Sequence, residues 1–480
     1  MKTKNIFKKY IGDRGFYKQV LAIAVPIMVQ NGITNLVNLL DNIMVGTLGT
    51  EEMAGVSIVN QFIFIFNLLV FGAVSAAGIF TAQFHGVGDR EGIRHTFRFK
   101  LLIIFFAATL GIGVFLLFDD FLINLFLHNT DNVGDLTLAL KCGKDYLFIM
   151  LFGLLPYAIS QVYASTMRET EVTVPPMFAS VIAVFTNFVL NILLIFGFLG
   201  FPALGIKGAA IATVISRFCE LLYLVVYAHV GKNKSLSYFG GIFKSLKIPA
   251  ALAGKIAVKG IPIIFNEFFW ALAMTLRNQC YSTRGLDVVA AQNINSTLTN
   301  LFSVVYMSMS SAIAIMIGSL LGAGKLEEAK DKNRKLIAFA MLCSIIVAAL
   351  LSASAPLFPL LYNTSDGARE LATYMILITA ATMPFAAYTN AAYFTLRSGG
   401  QVMITLLFDS VFMWSVVMPI SASLAYFTNM NIHMLFLICQ GTEVIKASVG
   451  AYLLHRGTWV KTLVKSADTV QYNTAEAENQ

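Results

Sequence analysis

The sequence predicts an all-α membrane protein in which twelve transmembrane helices form two similar six-helix lobes. Three observations predict this fold class. Of the 480 residues, 57% are hydrophobic and only 12% are charged, which lies outside the usage of soluble globular proteins. Twelve apolar runs are separated by short polar connections, and connections rich in Lys and Arg alternate with connections that contain few of them. The second half of the chain also repeats the pattern of the first half.

Each apolar run is long enough to cross the membrane, because a helix needs about 20 residues to span the hydrocarbon layer. The first run is too long for the apolar part of a signal peptide and lacks a small-x-small cleavage site, so we expect no cleaved leader. The predicted helices lie near residues 17–44, 53–83, 98–118, 142–167, 174–198, 206–230, 256–281, 288–320, 336–361, 371–396, 402–427 and 432–455.

The basic residues are distributed unevenly across the membrane. The chain has 34 Lys and Arg against 26 Asp and Glu, for a net charge of +8. In the predicted topology 26 of the basic residues lie on the side of the N-terminus, five lie on the opposite side and three lie within spans. This asymmetry predicts a multi-pass protein of the inner (plasma) membrane with both termini in the cytoplasm. Because the basic residues form separate clusters, we expect no nucleic-acid partner.

The two halves align without a gap at an offset of 236 residues. Pro26 aligns with Pro262, and the register continues to 86–88 against 322–324. Because each half has an even number of helices, both halves enter from the same side and form parallel repeats, an arrangement typical of alternating-access transporters. The predicted parts are an N-terminal lobe at 1–230, a cytoplasmic linker at 231–254, a C-terminal lobe at 255–455 and a cytoplasmic tail at 456–480.

Ionisable residues inside the spans are candidates for function, because a charge is expensive to place in a membrane. The spans contain five acidic and three basic residues. This excess of negative charge within the membrane favours cations. The alternative is that these residues form structural ion pairs. The acidic residues are Asp41, Glu220, Glu267, Asp409 and Glu443, and the basic residues are Arg217, Arg277 and Lys446.

The first, fifth and sixth helices carry a predicted cation-coupling site. Asp41 ends a polar stripe on the first helix, and Asn187 and Asn191 share one face of the fifth helix because they are four residues apart. Thr213 adds a hydroxyl from the sixth helix. Carboxylate, amide and hydroxyl oxygens are suitable ligands for Na⁺, and a buried carboxylate can instead exchange a proton. The alternative is a polar seam of interhelical hydrogen bonds. Arg217 and Glu220, four and seven residues after Thr213 on the same helix, are expected to form a structural pair.

The seventh helix carries a predicted substrate-binding face. The spacing of Glu267, Trp270, Met274 and Arg277 places them on one face of this helix. Asn38 of the first helix is predicted as a further substrate-binding residue. A carboxylate beside an aromatic ring can contact an amphipathic cation through charge and cation–π attraction. The alternative is a structural pair between Glu267 and Arg277. Asp409 with Trp414, and Glu443 with Lys446, are expected to be architectural.

Several motifs in this order resemble those of the multidrug and toxic compound extrusion (MATE) family. The run Asp-Asn-Ile-Met-Val-Gly-Thr-Leu-Gly at 41–49 resembles the family's first-helix signature. Other matching segments are Met167-Arg168 followed by Pro175-Pro176, Asn187 to Asn191 followed by Leu194-Ile195-Phe196-Gly197, the run from Gly205 to Thr213, Gly322-Ala323-Gly324-Lys325, and Leu396-Arg397-Ser398-Gly399-Gly400.

The resemblance implies a transporter that works as a monomer in the lipid membrane and needs no cofactor beyond its coupling ion. Its implied activity is export of small-molecule drugs or organic cations through a central cavity, driven by inward movement of H⁺ or Na⁺. Asp41, Asn187 and Thr213 match the family's amino-lobe cation site, which gives a possible position for Na⁺. Members with the fullest site have an aspartate where Asn191 stands, and the family's carboxy-lobe site has no counterpart here. Pro26 lies in a helix that is thought to bend in some members.

Two other functions were weighed. A flippase for a lipid-linked or polysaccharide precursor would need an Arg-rich cavity for its anionic substrate, and only Arg217 and Arg277 lie within the spans. An intramembrane enzyme would need a catalytic constellation. His229 and His433 are predicted near opposite membrane faces without metal partners at recognisable spacing. We therefore expect a transporter and no enzyme.

Overall fold

The computed structural model describes residues 9–127, 136–231, 233–362 and 364–464. Within these ranges the regular structure is helical, and twelve helices are long and apolar enough to cross a membrane. This confirms the predicted fold class. The helices are α1 (Arg14–Gly46), α2 (Thr50–Val87), α3 (Arg90–Leu117), α4 (Leu136–Glu169), α5 (Val174–Phe196), α6 (Ile206–Val230), α7 (Ala250–Ser282), α8 (Leu286–Gly322), α9 (Leu326–Ser354), α10 (Asp366–Ser398), α11 (Val402–Phe427) and α12 (Ile432–His455).

Several helix ends differ from the prediction, and the largest differences are at the starts of α3 and α9, which lie at Arg90 and Leu326 and not at 98 and 336. A short helix, Asp119–Leu127, follows α3 and was not predicted. Helix α9 was predicted to reach residue 361 but ends at Ser354. Pro356 lies two residues beyond this end, where a missing N–H and a fixed backbone angle oppose continuation of a helix. A separate 3₁₀ turn, Phe358–Leu361, covers the rest of the apolar run.

The sequence repeat is visible in the positions of prolines inside helices. Pro26 lies within α1 and Pro262 within α7, and Pro156 and Pro384 lie within α4 and α10. All four helices continue through their prolines. Helix α11 contains two π-helical turns, Leu407–Val411 and Met413–Val417, the first of which includes Asp409. Short π segments inside helices are frequently found at functional sites.

The chain divides into two compact units. The first unit comprises Met1–Met28, Ala82–Asp89 and Ile261–Gln480, and the second comprises Val29–Thr81 and Arg90–Gly260. The start of α1 and the end of α2 therefore belong with the helices of the second half of the chain. The division within α1 lies two residues after Pro26.

The first unit is built around α8 and α10, which pack along each other and against α9, α11 and α12. One of its hydrophobic clusters joins Phe16 and Val20 of α1 to Met309 of α8 and to Trp459, which follows α12. Van der Waals contact between closely packed side chains favours this packing, because lipid tails are as apolar as the side chains and supply no hydrophobic driving force between helices. Trp459 is 3% exposed, so the segment after α12 is part of this core.

In the second unit, α6 packs between α4 and α5. A Cβ atom at Gly208 of α6 would collide with the Leu194 carbonyl of α5, so glycine allows the two backbones to approach closely. The linker between α6 and α7 folds onto this unit. Arg94 and Arg98 of α3 donate to the carbonyl oxygens of Tyr238 and Ile242, at 2.9 Å each.

Candidate functional site

Four predicted cation-site residues, Asp41, Asn187, Asn191 and Thr213, form one hydrogen-bonded cluster in the second unit. Asn191 Nδ2 donates to Asp41 Oδ1 at 2.6 Å and to Asn187 Oδ1 at 3.1 Å. Asn187 Nδ2 donates to Thr213 Oγ1 at 3.1 Å. The close approach of α5 and α6 places both asparagines opposite Thr213, so the spacing seen in the sequence becomes one site.

The Asn187 amide has hydrogen-bond partners in either of its two orientations. In one orientation its nitrogen donates to Thr213 Oγ1 at 3.1 Å, while Thr213 Oγ1 donates its hydrogen to the Ala209 carbonyl at 3.0 Å. In the other orientation its nitrogen donates to Asp41 Oδ1 at 2.9 Å and to Oδ2 at 3.2 Å, and its oxygen accepts from Thr213 Oγ1 at 3.1 Å. Asn187 contacts the cluster in both orientations.

Both asparagines are almost fully buried. Asn187 is 4% exposed and Asn191 is 1% exposed. Among the described residues, Asn191 Oδ1 has no hydrogen-bond partner. A buried acceptor without a donor is costly, and such atoms often mark a ligand position. The side chain of Asn38, the first-helix residue of the predicted substrate face, lies outside the described part of the structure.

A second polar chain lies next to this cluster in the same unit. Arg217 Nη1 donates to Glu220 Oε2 at 3.2 Å, so the expected pair is present. Ser180 donates to Glu220 Oε1 at 3.4 Å and accepts from Gln30 Nε2 at 2.9 Å. Gln30 Oε1 in turn accepts from Arg168 at 3.2 Å. Four helices thus contribute to a chain of buried or half-buried polar groups.

In the first unit, Asp409 of α11 is held from two sides. Lys446 Nζ of α12 donates to Asp409 Oδ1 at 2.6 Å, and Asn266 Nδ2 of α7 donates to Oδ2 at 3.0 Å. Lys446 thus pairs with Asp409, and not with Glu443 three residues before it as the spacing had suggested. Ser410 adds further bonds to Asn266. Asp409 thus has a lysine and an asparagine as partners, neither of which was identified as its partner from the sequence.

Glu267 is held more loosely than Asp409. Its Oε1 lies 3.4 Å from the Tyr393 hydroxyl and 3.7 Å from Arg397 Nη1, both on α10. These two residues, and not Arg277, surround Glu267. Sequence reasoning did not identify Tyr393, and it noted Arg397 only as part of a family motif. Their spacing of four residues on α10 was an available signal.

The remaining residues of the predicted substrate face do not surround Glu267. Trp270 and Met274 pack against Ala273 and against Met413 and Val417 of α11. Arg277 has a buried Nε atom without a hydrogen-bond partner among the described residues. The structure brings Trp270 and Met274 together, whereas Glu267 has its own partners on α10.

Known proteins are similar to this chain over nearly all of its length. A curated relative from Thermotoga maritima, described as a probable multidrug resistance protein NorM, is 21% identical over 97% of this chain and 99% of its own. A protein of the same description from Pasteurella multocida is 26% identical over 69% of this chain and 70% of its own.

Solved structures share the fold. A multidrug resistance MATE family transporter of the MOP superfamily, in an outward-facing conformation, matches with a TM-score of 0.82 at 18% identity, over 93% of this chain and 97% of that one. A MOP superfamily transporter from Pyrococcus furiosus matches with a TM-score of 0.80 at 19% identity, over 95% and 97%.

The sequence model of the MatE family matches this chain twice, at residues 26–193 and 262–449. The two matches begin 236 residues apart (262 − 26), which is the offset of the internal repeat. Together they cover well over half of the chain, and the family consists of transporters and not enzymes. This chain, a multi-pass membrane protein of two related six-helix halves, belongs to the MatE family.

Proposed function

We propose that this protein is a cation-coupled multidrug antiporter of the inner (plasma) membrane that exports hydrophobic, often cationic compounds by alternating access. The coupling ion is H⁺ or Na⁺ and binds at Asp41. The chain works as a monomer with both termini in the cytoplasm. The names of its relatives support the substrate class, and the arrangement around Asp41 supports the coupling.

The cluster of oxygen atoms at Asp41 carries this proposal. Asp41 Oδ1 accepts from Asn191 Nδ2 at 2.6 Å, and the side-chain amide of Asn187 reaches the same oxygen at 2.9 Å. The carboxylate is therefore surrounded by neutral polar groups. Asn191 supplies an amide oxygen without a partner, and Thr213 supplies a hydroxyl. Oxygen donors of this kind suit a hard cation, and a carboxylate among neutral amides also suits proton exchange.

Glu267 is the proposed contact for the positive charge of a substrate. Its two nearest partners lie at 3.4 and 3.7 Å, so neither interaction is short. A cationic compound can therefore compete for this carboxylate. Asn38, Trp270, Met274 and Arg277 remain the other proposed contacts, with Trp270 offering an aromatic face.

Transport in proteoliposomes tests the proposal. Efflux of a fluorescent lipophilic cation is measured under a pH gradient alone and under a Na⁺ gradient alone, for wild type, Asp41→Asn and Asp366→Asn. Asp366 is an almost fully exposed carboxylate at the start of α10, so its variant is a matched control. We expect one gradient to drive efflux in wild type and control, and Asp41→Asn to abolish it with unchanged thermal unfolding.

Transport at the normal rate by Asp41→Asn would refute the site. If folded wild-type protein transports under neither gradient, the flippase for a lipid-linked or polysaccharide precursor becomes the better hypothesis. Translocation of a fluorescent lipid-linked oligosaccharide in the same vesicles then tests that second function directly.

A further inference from the structure

Helix α6 carries an arginine that lies one turn from a residue of the Asp41 cluster and pairs with a buried carboxylate. Thr213, Arg217 and Glu220 follow at intervals of four and three residues, so they lie on one face of α6 in successive turns. Thr213 belongs to the Asp41 cluster, and Glu220 pairs with Arg217. Arg217 is also within electrostatic range of Asp41. Arg217 therefore connects two groups along α6, since it follows Thr213 of the Asp41 cluster by one turn and pairs with Glu220.

Glu220 has other donors besides Arg217. It is 3% exposed, and a carboxylate buried this deeply needs hydrogen bonds or a positive partner. Ser180 donates to its Oε1, and Ser180 is connected through Gln30 to Arg168. Glu220 would thus keep some stabilisation if Arg217 moved away. Arg217 itself is 31% exposed at its side chain, so it has room to move.

Asp41 has no positive partner in the observed arrangement. Among the described residues, no Lys, Arg or His nitrogen lies within 4.0 Å of its carboxylate. Arg217, one turn along α6 from Thr213, is occupied by Glu220 and lies over the Tyr157 ring at 4.8 Å. This pattern suits an Asp41 that holds a proton or cation, because an ionised carboxylate inside a membrane otherwise requires a counter-ion.

We propose that Arg217 is a mobile counter-ion that pairs with Glu220 while Asp41 holds the coupling cation and turns to Asp41 when that cation leaves. Arginine suits this task because it stays charged under all working conditions. The cation and the guanidinium group then compete for one carboxylate. This competition supplies the difference in affinity between two states that coupling requires. The inference rests on the proposed function and assigns Arg217 a positioning role.

The charged and titratable groups around Arg217 are compatible with this exchange. Helix α1 contributes Asp41, and α4 contributes the phenols of Tyr146 and Tyr157 together with Arg168. Helix α5 contributes only neutral groups to the chain, through Ser180 and the two asparagines of the Asp41 cluster. Helix α6 contributes Glu220.

The exchange predicts opposite effects for two substitutions. Arg217→Gln removes the competitor, so the driving ion should bind more tightly to Asp41 and leave more slowly. Glu220→Gln removes the alternative partner, so Arg217 should remain at Asp41 and compete more strongly with the ion. We expect shifts of about tenfold in opposite directions in the half-saturating ion concentration, within the usual range of coupling between sites. A purely structural pair would give the same direction of change in both variants.

The test measures efflux against concentration of the driving ion for wild type, Arg217→Gln, Glu220→Gln and the double variant. Asp41→Asn is measured in parallel, and unfolding temperatures are recorded for all proteins. Opposite shifts, with the double variant resembling Arg217→Gln, support the inference. Shifts in one direction, or none, with Asp41→Asn inactive, overturn the inference and leave the proposed function intact.

Normal transport by Asp41→Asn overturns the proposed function and the inference together. Where either single variant fails to fold, Arg217→Lys decides, because it keeps the charge but loses the planar fork. If Arg217→Lys lowers the half-saturating ion concentration, as predicted for Arg217→Gln but by less than tenfold, the inference is supported. An unchanged half-saturating ion concentration overturns it.

Discussion

The side-chain nitrogen of Asn191 lies 2.6 Å from the carboxylate oxygen of Asp41, although the two residues are 150 positions apart. A bond of this length to a carboxylate is short and strong. It orients Asp41 toward α5 and directs the same amide's oxygen into the cluster, where it has no hydrogen-bond partner among the described residues. Asn191 therefore positions the acid, and in the proposed site its oxygen is an additional ligand for the cation.

Replacing Asn191 by aspartate tests its role as a ligand. A second carboxylate adds charge to the ligand set, and ligand charge strongly affects the affinity of oxygen sites for cations. We expect Asn191→Asp to lower the half-saturating Na⁺ concentration about tenfold in a Na⁺-driven protein, or to introduce Na⁺ dependence in an H⁺-driven one. Asn191→Leu, which has no oxygen, should raise the half-saturating ion concentration. The measurement is efflux at varied Na⁺ and fixed pH, and equal ion dependence in both variants would contradict the role.

Glu267 should distinguish substrates by their charge. Its weak contacts to Tyr393 and Arg397 leave the carboxylate able to bind a cation. We expect Glu267→Gln to reduce export of a lipophilic cation at least tenfold, by loss of a charged partner, while a neutral hydrophobic compound is exported nearly normally. Glu370→Gln, at an exposed position on the same helix as Tyr393, is the control. Equal losses for both compounds would show that Glu267 is required for folding or conformational change.

The twelve helices could be predicted from the sequence because each one is an apolar run of sufficient length. The internal repeat and the clusters of basic residues supported the same number of helices. The sequence also identified the Asp41 cluster, since Asn187 and Asn191 share a helix face and their partners come from helices that pack on it. The one additional requirement was the close approach of α5 and α6 at Gly208. That approach follows from a small residue at a helix contact, which the sequence does contain.

The ion pairs of the first unit were not predictable in the same way. Helical spacing suggested Glu443 as the neighbour of Lys446, but Lys446 pairs with Asp409. Likewise Arg397, and not Arg277, lies beside Glu267. Spacing along one helix identifies residues that share a face, but it does not determine which neighbouring helix that face contacts. Those choices depend on packing of the whole unit.

The buried pair of Lys100 and Glu169 should dominate the stability of the second unit. Lys100 is fully buried on α3 and donates to Glu169, Ser165 and Thr166 of α4. Lys100→Met leaves the carboxylate without its partner, and loss of one member of a buried pair costs about 3–5 kcal/mol. We expect a marked fall in the unfolding temperature in detergent. Lys144→Met removes partly exposed pairs with Asp119 and Asp120 and should have little effect.

The charge-neutral double variant Lys100→Met with Glu169→Gln separates two explanations of that fall. If the uncompensated carboxylate is responsible, the double variant should be more stable than Lys100→Met alone. If the lost packing of the lysine stem is responsible, the second substitution should bring no recovery. Recovery of at least half of the lost unfolding temperature is the expected result.

Two helical glycines offer a matched test of packing in the first unit. Gly322 ends α8, and a Cβ atom there would collide with the backbone of Gln83 at the end of α2. Gly441 lies inside α12, and a Cβ atom there would have no heavy atom within 4 Å apart from its own helix backbone. Alanine is the better helix former at either position by about 1 kcal/mol. The substitution at Gly441 should therefore leave stability unchanged or raise it slightly.

Gly322→Ala should instead destabilise the protein by about 1–3 kcal/mol, because the added methyl group overpacks a contact between two backbones that cannot rotate away. Gly86 of α2 is its counterpart, since a Cβ atom there would collide with the Ser319 carbonyl of α8. We expect Gly86→Ala to reduce the free energy of unfolding as much as Gly322→Ala. The double variant should lose less stability than the sum of the two single variants, because both substitutions widen one shared contact. Thermal unfolding in detergent measures all four proteins, and equal unfolding temperatures for Gly322→Ala and Gly441→Ala would refute the close contact.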